Sequence, residues 1–243
     1  MKSIWFERFN PLLSPNIRII CFPYAGGNAS TYSNWHRYLP SDIEVIAIQP
    51  PGRANRLIEP AIDNVDELIE NLSMYIDFFT STKYVLFGHS LGSRVAYALA
   101  LRIKQYGGPP PLHFVASGSP APHVIPHRKC ISGLPKREFI NELRLLNGTP
   151  EEVLQSEELM EILIPMLRAD FKMSNTFVSE KTLLDCPIST ICGLNDIGLQ
   201  VEHQEAWEEL TNNNFSIKYI QGNHFFIDKN VRGVVNLVRE VLQ

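Results

Sequence analysis

Three residues have the types and the chain order that nucleophilic acyl chemistry needs: Ser90 in FGHSLG, Asp196 in GLND and His224 in QGNHFF. A serine hydroxyl is a poor nucleophile until a base takes its proton, and that base needs an acid to orient it. Ser90 lies between Gly88 and Gly92, where the apolar run YVLF meets a helix-compatible stretch, RVAYALALRIK. On such a strand–turn–helix elbow the serine backbone is strained, and small neighbours let strand and helix approach closely. The hydroxyl then stands above the sheet, and the positive end of the following helix points at it. The Gly-x-Ser-x-Gly string alone also describes a tight turn that contains a serine. Its partners decide.

The acid belongs just past the carboxyl end of a later strand. After ISTIC comes GLND, with Asp196 four residues beyond Cys192. Asp185 precedes the same strand and so falls at the opposite edge of the sheet. The loop after LHFVA, SGSPAPHVIPHRK, holds no carboxylate. The base should follow the next strand, and His224 lies four residues past the end of FSIKYI. The other histidines (His36, His89, His113, His123, His127, His203) read as solvated or packed side chains. An oxyanion hole needs two donors. One is the backbone N–H of Leu91, directly after the nucleophile. The second belongs in the loop CFPYAGGNAS, where Gly26 and Gly27 let an amide turn inward, with Ala25 favoured over Tyr24. As a phosphate cradle AGGNAS lacks both the lysine and the glycine spacing.

The elements that must position these groups are legible. Strand-like runs occur at 16–22, 44–48, 84–87, 112–116, 188–192 and 215–220. Most are short and apolar rather than alternating, as in a parallel sheet covered on both faces. Helical patterns lie between them at 31–39, 65–79, 91–106, 202–210 and 231–242, with Asp63 or Asn64 as the N-cap of the second. The alternation predicts an α/β sheet with helices on both faces. From 134 to 178 no strand is evident. Two helices are expected there, the second opened by Thr149 as N-cap with Pro150 at its first position, and kinked or broken at Pro165. An insertion of that length reads as a mobile helical lid over the sheet edge where ligands bind. The expected organisation is one domain over 1–243 with the lid at 134–178.

Composition sets the bounds. The chain has 243 residues, 44% hydrophobic and 20% charged, with a formal charge of −4. That balance argues against nucleic acid as a partner, because phosphate binding needs clustered excess base. No apolar run has the length of a membrane span, and MKSIWFERFNPLLSP lacks the continuous core of a signal peptide. Trp5, Phe6 and Phe9 are expected to pack on the body. The four cysteines have no framework spacing, which suits a reducing cytoplasm. His123, His127 and Cys130 invite a metal reading, but Pro126 opposes helical alignment and no fourth ligand is evident. No metal is expected.

With these residues in place, the sequence resembles the type II (external, stand-alone) thioesterases that accompany non-ribosomal peptide and polyketide synthases. The matching stretches are CFPYAGG, PPGRANRLIEP, FGHSLG, the run from LPKREF to RADF, GLND and GNHFF, which together cover nearly the whole chain. Asn223 stands where the family often has a second glycine, Ile197 where a proline often follows the acid, and Arg94 and Ala98 also depart from the pattern. The resemblance implies an α/β-hydrolase fold and a mostly parallel sheet. It implies hydrolysis of acyl thioesters on the phosphopantetheine arm of carrier domains, through an acyl-enzyme on Ser90, to clear stalled groups or release intermediates. No cofactor is implied, and a monomer is expected. Tyr24, Met166, Phe171 and Phe225 are candidates for the acyl pocket. Arg128, Lys129, Lys136 and Arg137 are a candidate docking face for acidic carriers, set against a plain solvated surface. Arg53 reads either as structural or as a contact for the pantetheine arm. A siderophore or genotoxin cluster, such as that of colibactin, is the expected setting. An esterase or lactonase of the same fold, or a silent carrier-binding partner, are the rival readings.

Overall fold

A computed structural model describes residues 3–125 and 130–242. Among these residues the centre is a sheet of seven strands: β1 (Phe6–Arg8), β2 (Ile17–Phe22), β3 (Ile43–Ile48), β4 (Lys83–His89), β5 (His113–Ser117), β6 (Ile188–Gly193) and β7 (Phe215–Ile220). Their order is β1-β3-β2-β4-β5-β6-β7. Every neighbouring pair is parallel except β1 with β3. All residues of β2 and β3 are buried, which explains why these strands read as continuous runs. Successive side chains feed opposite layers. Ile20, Phe22, Leu86 and Phe114 pack beneath α1 (Val65–Ser73), α2 (Ile76–Thr80) and α3 (Leu91–Gln105). Ile19, Cys21, Val85 and Phe87 pack with Tyr32 and Trp35 on the other face.

Between β5 and β6 lie α4 (Lys136–Leu146), α5 (Glu151–Gln155) and α6 (Glu157–Thr176). They carry an apolar cluster of their own, built on Ile131, Phe139, Leu143, Leu154, Met160 and Met166. After β6 comes the short α7 (Val201–Glu205), and α8 (Phe226–Lys229) and α9 (Val231–Glu240) follow β7. No helix among the described residues is long and apolar enough to cross a membrane. The four cysteines are unpaired, and Cys21, Cys186 and Cys192 are buried.

The structure departs from the sequence expectations in several places. The pattern at 65–79 is two helices, because the chain turns at Tyr75 to bring its ring edge-on to Phe6 at 5.3 Å. Asn64 caps the first by accepting from Glu67 N–H at 3.1 Å. Residues 31–39 form two 3-10 turns rather than an α-helix, which sinks Tyr32 and Trp35 against Phe87. The pattern at 202–210 is shared between α7 and a 3-10 turn, Ala206–Leu210. β1 escapes sequence reading because it has three residues and carries Glu7 and Arg8, as an antiparallel edge strand can. Pro150 is the extended N-cap of α5 and not its first helical residue. Pro165 lies inside an unbroken α6; the break falls at Ser156, whose side chain accepts from Leu159 N–H.

Candidate active site

The chain leaves β2 toward β3 on one side and returns to β4 on the other. The carboxyl ends of β2 and β4 therefore flank the point where strand order reverses, the usual crevice for a ligand. Ser90 follows β4 there, at φ 54° and ψ −120°. This is a left-handed-side conformation that costs a non-glycine residue about 1–3 kcal/mol and persists only where the surroundings enforce it. They do so here. A Cβ on Gly92 would overlap the Phe22 carbonyl, and one on Gly88 would overlap the backbone of Gly92 and Ser93. Ser90 N–H donates to the Ser117 carbonyl at 2.8 Å, and the Ser93 hydroxyl donates to the Gly88 carbonyl at 2.7 Å.

Asp196 and His224 come from the loops after β6 and β7. His224 Nδ1–H donates to Asp196 Oδ2 at 2.6 Å, with the carboxylate side chain only 4% exposed. That bond fixes the tautomer, leaving Nε2 as the lone-pair nitrogen. The two loops are tied together by Asn195 N–H to the Gly222 carbonyl at 3.0 Å. Ser90, Asp196 and His224 all face one cavity of about 620 Å³. Ala25 lines it as well, in the turn after β2. Among the described residues neither the Ala25 nor the Leu91 amide has an acceptor within the chain. Leu91 is the first residue of α3, where helix amides have no internal partner.

The structure also places Tyr24, Met166, Phe171 and Phe225 on the cavity wall. Tyr24 is anchored by its hydroxyl donating to Asp228 at 2.7 Å, and its ring meets Phe225 edge-on at 5.4 Å. Leu143, Leu163 and Leu167 supply further apolar lining from the helices above. Arg128, Lys129 and His127 lie outside the described residues. Lys136 faces Glu157 and Glu161 at 3.7 and 3.6 Å. His123 lies 3.8 Å from Glu209, and no group of three metal-ligating side chains occurs among the described residues.

Two buried side chains, for each of which the sequence offers a structural reading, have partners that the sequence did not name. His89 is fully buried, and Nε2–H donates to the His224 carbonyl at 2.9 Å while Nδ1 meets the Ser117 hydroxyl at 2.9 Å. Burial, reinforced by the neighbouring His224, holds its pKa well below the usual histidine value, so it braces the base loop as a neutral ring. Its place directly before the nucleophile was the available signal. Arg53 is buried against Asp170 of α6 through two hydrogen bonds of 2.6 and 2.7 Å, which makes it structural and keeps it from meeting a pantetheine arm. The departures from the family pattern also find roles. The Asn223 side chain accepts from Phe225 N–H at 3.1 Å, turning the chain into α8. Buried Arg94 donates to the Ser174 and Phe177 carbonyls at 3.2 and 2.9 Å. Ile197 is fully exposed at the cavity mouth.

A mostly parallel sheet with a serine elbow at its switch point, and a histidine–carboxylate pair from the last two strands, defines an α/β-hydrolase. The chain belongs to the thioesterase domain family, whose model matches residues 17–242, and is a thioester hydrolase. It is 38% identical over 224 residues to the gramicidin S biosynthesis protein GrsT of Aneurinibacillus migulanus, covering 92% of this chain and 88% of that one. The solved type II thioesterase BorB, from the borrelidin biosynthetic cluster, matches with a TM-score of 0.89 at 29% identity, over 100% of this chain and 99% of BorB. ClbQ, from the colibactin NRPS/PKS pathway, matches with a TM-score of 0.87 at 30% identity, over 93% of this chain and 97% of ClbQ. At that identity ClbQ is a relative of this chain and not the same protein.

Proposed function

We propose that this chain hydrolyses acyl thioesters held on the phosphopantetheine arm of carrier domains in non-ribosomal peptide or polyketide synthesis, through an acyl-enzyme on Ser90. One observation carries the reading: a strained serine and a carboxylate-held histidine face the same cavity, with the acceptor-free amide of Ala25 on its wall and that of Leu91 next in the chain after the serine. The names of GrsT, BorB and ClbQ support the biosynthetic setting.

His224 Nε2 takes the Ser90 proton as Oγ adds to the thioester carbonyl carbon. Asp196 holds Nδ1–H and stabilises the imidazolium. The carbonyl electrons move onto oxygen, which the Ala25 and Leu91 amides receive; each such donor is worth about 3–4 kcal/mol in the transition state. Collapse breaks the carbon–sulfur bond, and the thiolate leaves with the imidazolium proton. Its thiol pKa of about 8.5 makes it a far better leaving group than an alcohol. Water, deprotonated by His224, then attacks the acyl ester and regenerates Ser90. The chain needs no cofactor for these steps and acts as a single copy. The apolar walls from Leu143, Leu163, Met166 and Phe171 take the acyl group, and α4–α6 form the lid that admits it.

Replacing Ser90 by alanine tests this. Turnover of octanoyl-pantetheine and of acyl-loaded carrier should fall by about 10⁴-fold or more while circular dichroism is unchanged. Fluorophosphonate labelling should vanish with it. A folded Ser90→Ala enzyme that still turns over would end the nucleophile assignment. Faster cleavage of the matched oxygen ester than of the thioester by the wild type would end the substrate assignment.

A further inference from the structure

We propose that Asp170 is a positioning residue for the oxyanion hole: from α6 it fixes the loop that presents the Ala25 amide, acting through Gly26 and Arg53. The inference rests on reading that loop as half of the oxyanion hole. Residues 24–27 form a turn closed by Gly27 N–H donating to the Tyr24 carbonyl at 2.8 Å, with Gly26 as its third residue at φ 82°. This is the geometry of a type II turn, whose central peptide can in principle rotate to the type I orientation. Asp170 Oδ2 accepts that peptide's N–H, from Gly26, at 2.7 Å. The same carboxylate is gripped by Arg53, and Arg53 Nη1 also donates to the Gly27 carbonyl at 3.1 Å. Both faces of the turn are thus tied to one buried ion pair.

The pair is expensive to place. Asp170 and Arg53 side chains are 2% and 5% exposed, and buried ion pairs are often no better for stability than apolar residues of the same volume. What this one supplies is a fixed Ala25–Gly26 peptide and an anchored Gly27, which clamp the turn immediately after the Tyr24–Ala25 peptide that carries the Ala25 N–H. The second donor is fastened to the same helix. Arg94 lies one turn after Ser90 on α3 and grips the carbonyls at the end of α6. The last turns of α6 therefore splint the Ala25 loop, through Asp170, and the helix that presents the Leu91 amide, through Arg94.

The experiment separates positioning from stability. The Arg53→Met/Asp170→Leu double variant removes both charges together, so no lone buried charge remains. Its kcat on octanoyl-pantetheine should fall about 10–100-fold with KM within about 3-fold, as for a misaligned reaction centre. Its affinity for n-octylboronic acid, which adds to Ser90 as a tetrahedral anion, should weaken by the same factor. Asp170→Asn keeps an oxygen for Gly26 N–H but weakens the grip on Arg53. It should be less stable than the double variant and yet recover most of the boronate affinity. Lys172, also on α6, makes an exposed ion pair with Asp63 just before α1; Lys172→Ala removes it and should change neither readout. A folded double variant with wild-type kcat and boronate affinity overturns the proposal. So does an Asp170→Asn enzyme whose loss appears in KM alone, a test that stands even where the double variant fails to fold. Absence of fluorophosphonate labelling at Ser90 in the wild type would instead overturn the nucleophile reading beneath it.

Discussion

The two ends of α6 touch very different surroundings. Its carboxyl-terminal turns are fastened by buried groups: Asp170 to Arg53 and Gly26, and the Ser174 and Phe177 carbonyls to Arg94. Its amino-terminal turns leave Leu159 and Ile162 about half exposed, and their ion pairs with Lys136 lie on the surface. Exposed pairs of that kind contribute about 0–1 kcal/mol, whereas breaking a buried pair costs about 3–5 kcal/mol. Pro165 lies between the two ends and removes one helical hydrogen bond. One helix is therefore fastened into the body at one end and lies at the surface at the other, as the proposed lid requires. Where α4 and α5 meet the catalytic loops the contact is a side chain, the Phe225 ring lying against Gly148.

The largest expected effect breaks this comparison at two glycines. At Gly92 an added methyl collides with the backbone of Phe22 and Pro23, which cannot step aside without moving the elbow. Gly92→Ala should lose about 3 kcal/mol or more in urea unfolding, with activity lost alongside. At Gly148 the obstacle is the tip of the Phe225 ring, which can swing aside about the Cα–Cβ bond, so Gly148→Ala should cost less than Gly92→Ala, about 1–2 kcal/mol. Equal losses at the two sites would mean the helical insertion is as rigid as the elbow.

Hydrogen exchange sharpens the comparison within one helix. Amides of α4, α5 and residues 157–164 should open locally and exchange at least about tenfold faster than those of residues 168–176, which should approach the protection of β4. Uniform protection along α6 would remove the distinction between its fastened end and its surface end.

What the sequence disclosed follows the same division. The elbow, acid and base loops were legible because each sits at a strand end, and these strand ends are marked by apolar runs that stop at or one residue before a glycine, at Gly88, Gly193 and Gly222. Ser90, Asp196 and His224 are separated along the chain yet brought to one edge by parallel topology, which alternation alone predicts. Arg53 and Asp170 were not legible as a pair. They are 117 residues apart, and a buried ion pair leaves no periodicity in either segment. His89 was legible as a packed histidine but its bracing role was not, for a related reason: its partners are a strand serine and a backbone carbonyl, and a carbonyl has no sequence signature. Of the two outcomes expected at Pro165, a kink or a break, the helix excludes the break; a proline tolerated within a helix and one that ends it look alike until the neighbouring carbonyls are placed.

The smallest expected effect concerns the body rather than the insertion, since no histidine occurs between residues 134 and 178. His113 opens β5, and its Nε2 meets the Ser189 hydroxyl at 2.8 Å, which in turn meets Ser216 at 2.8 Å. Burial lowers its pKa to about 4. In the unfolded chain the same imidazole titrates near 6.5. Between those values the unfolded chain binds a proton that the folded chain refuses, so stability is complete above about pH 6.5 and declines as pH falls toward 4. His89, also depressed by burial, contributes with the same sign but cannot be replaced without disturbing the base loop. His113→Gln retains a polar partner for Ser189 without a titrating ring. It should leave the melting temperature at pH 8 nearly unchanged and flatten its decline between pH 6.5 and 4.5. An unchanged slope would show that the proton uptake lies elsewhere in the body. A slope that moved together with exchange in α4 and α5 would show that body and lid unfold as one unit, against the division drawn along α6.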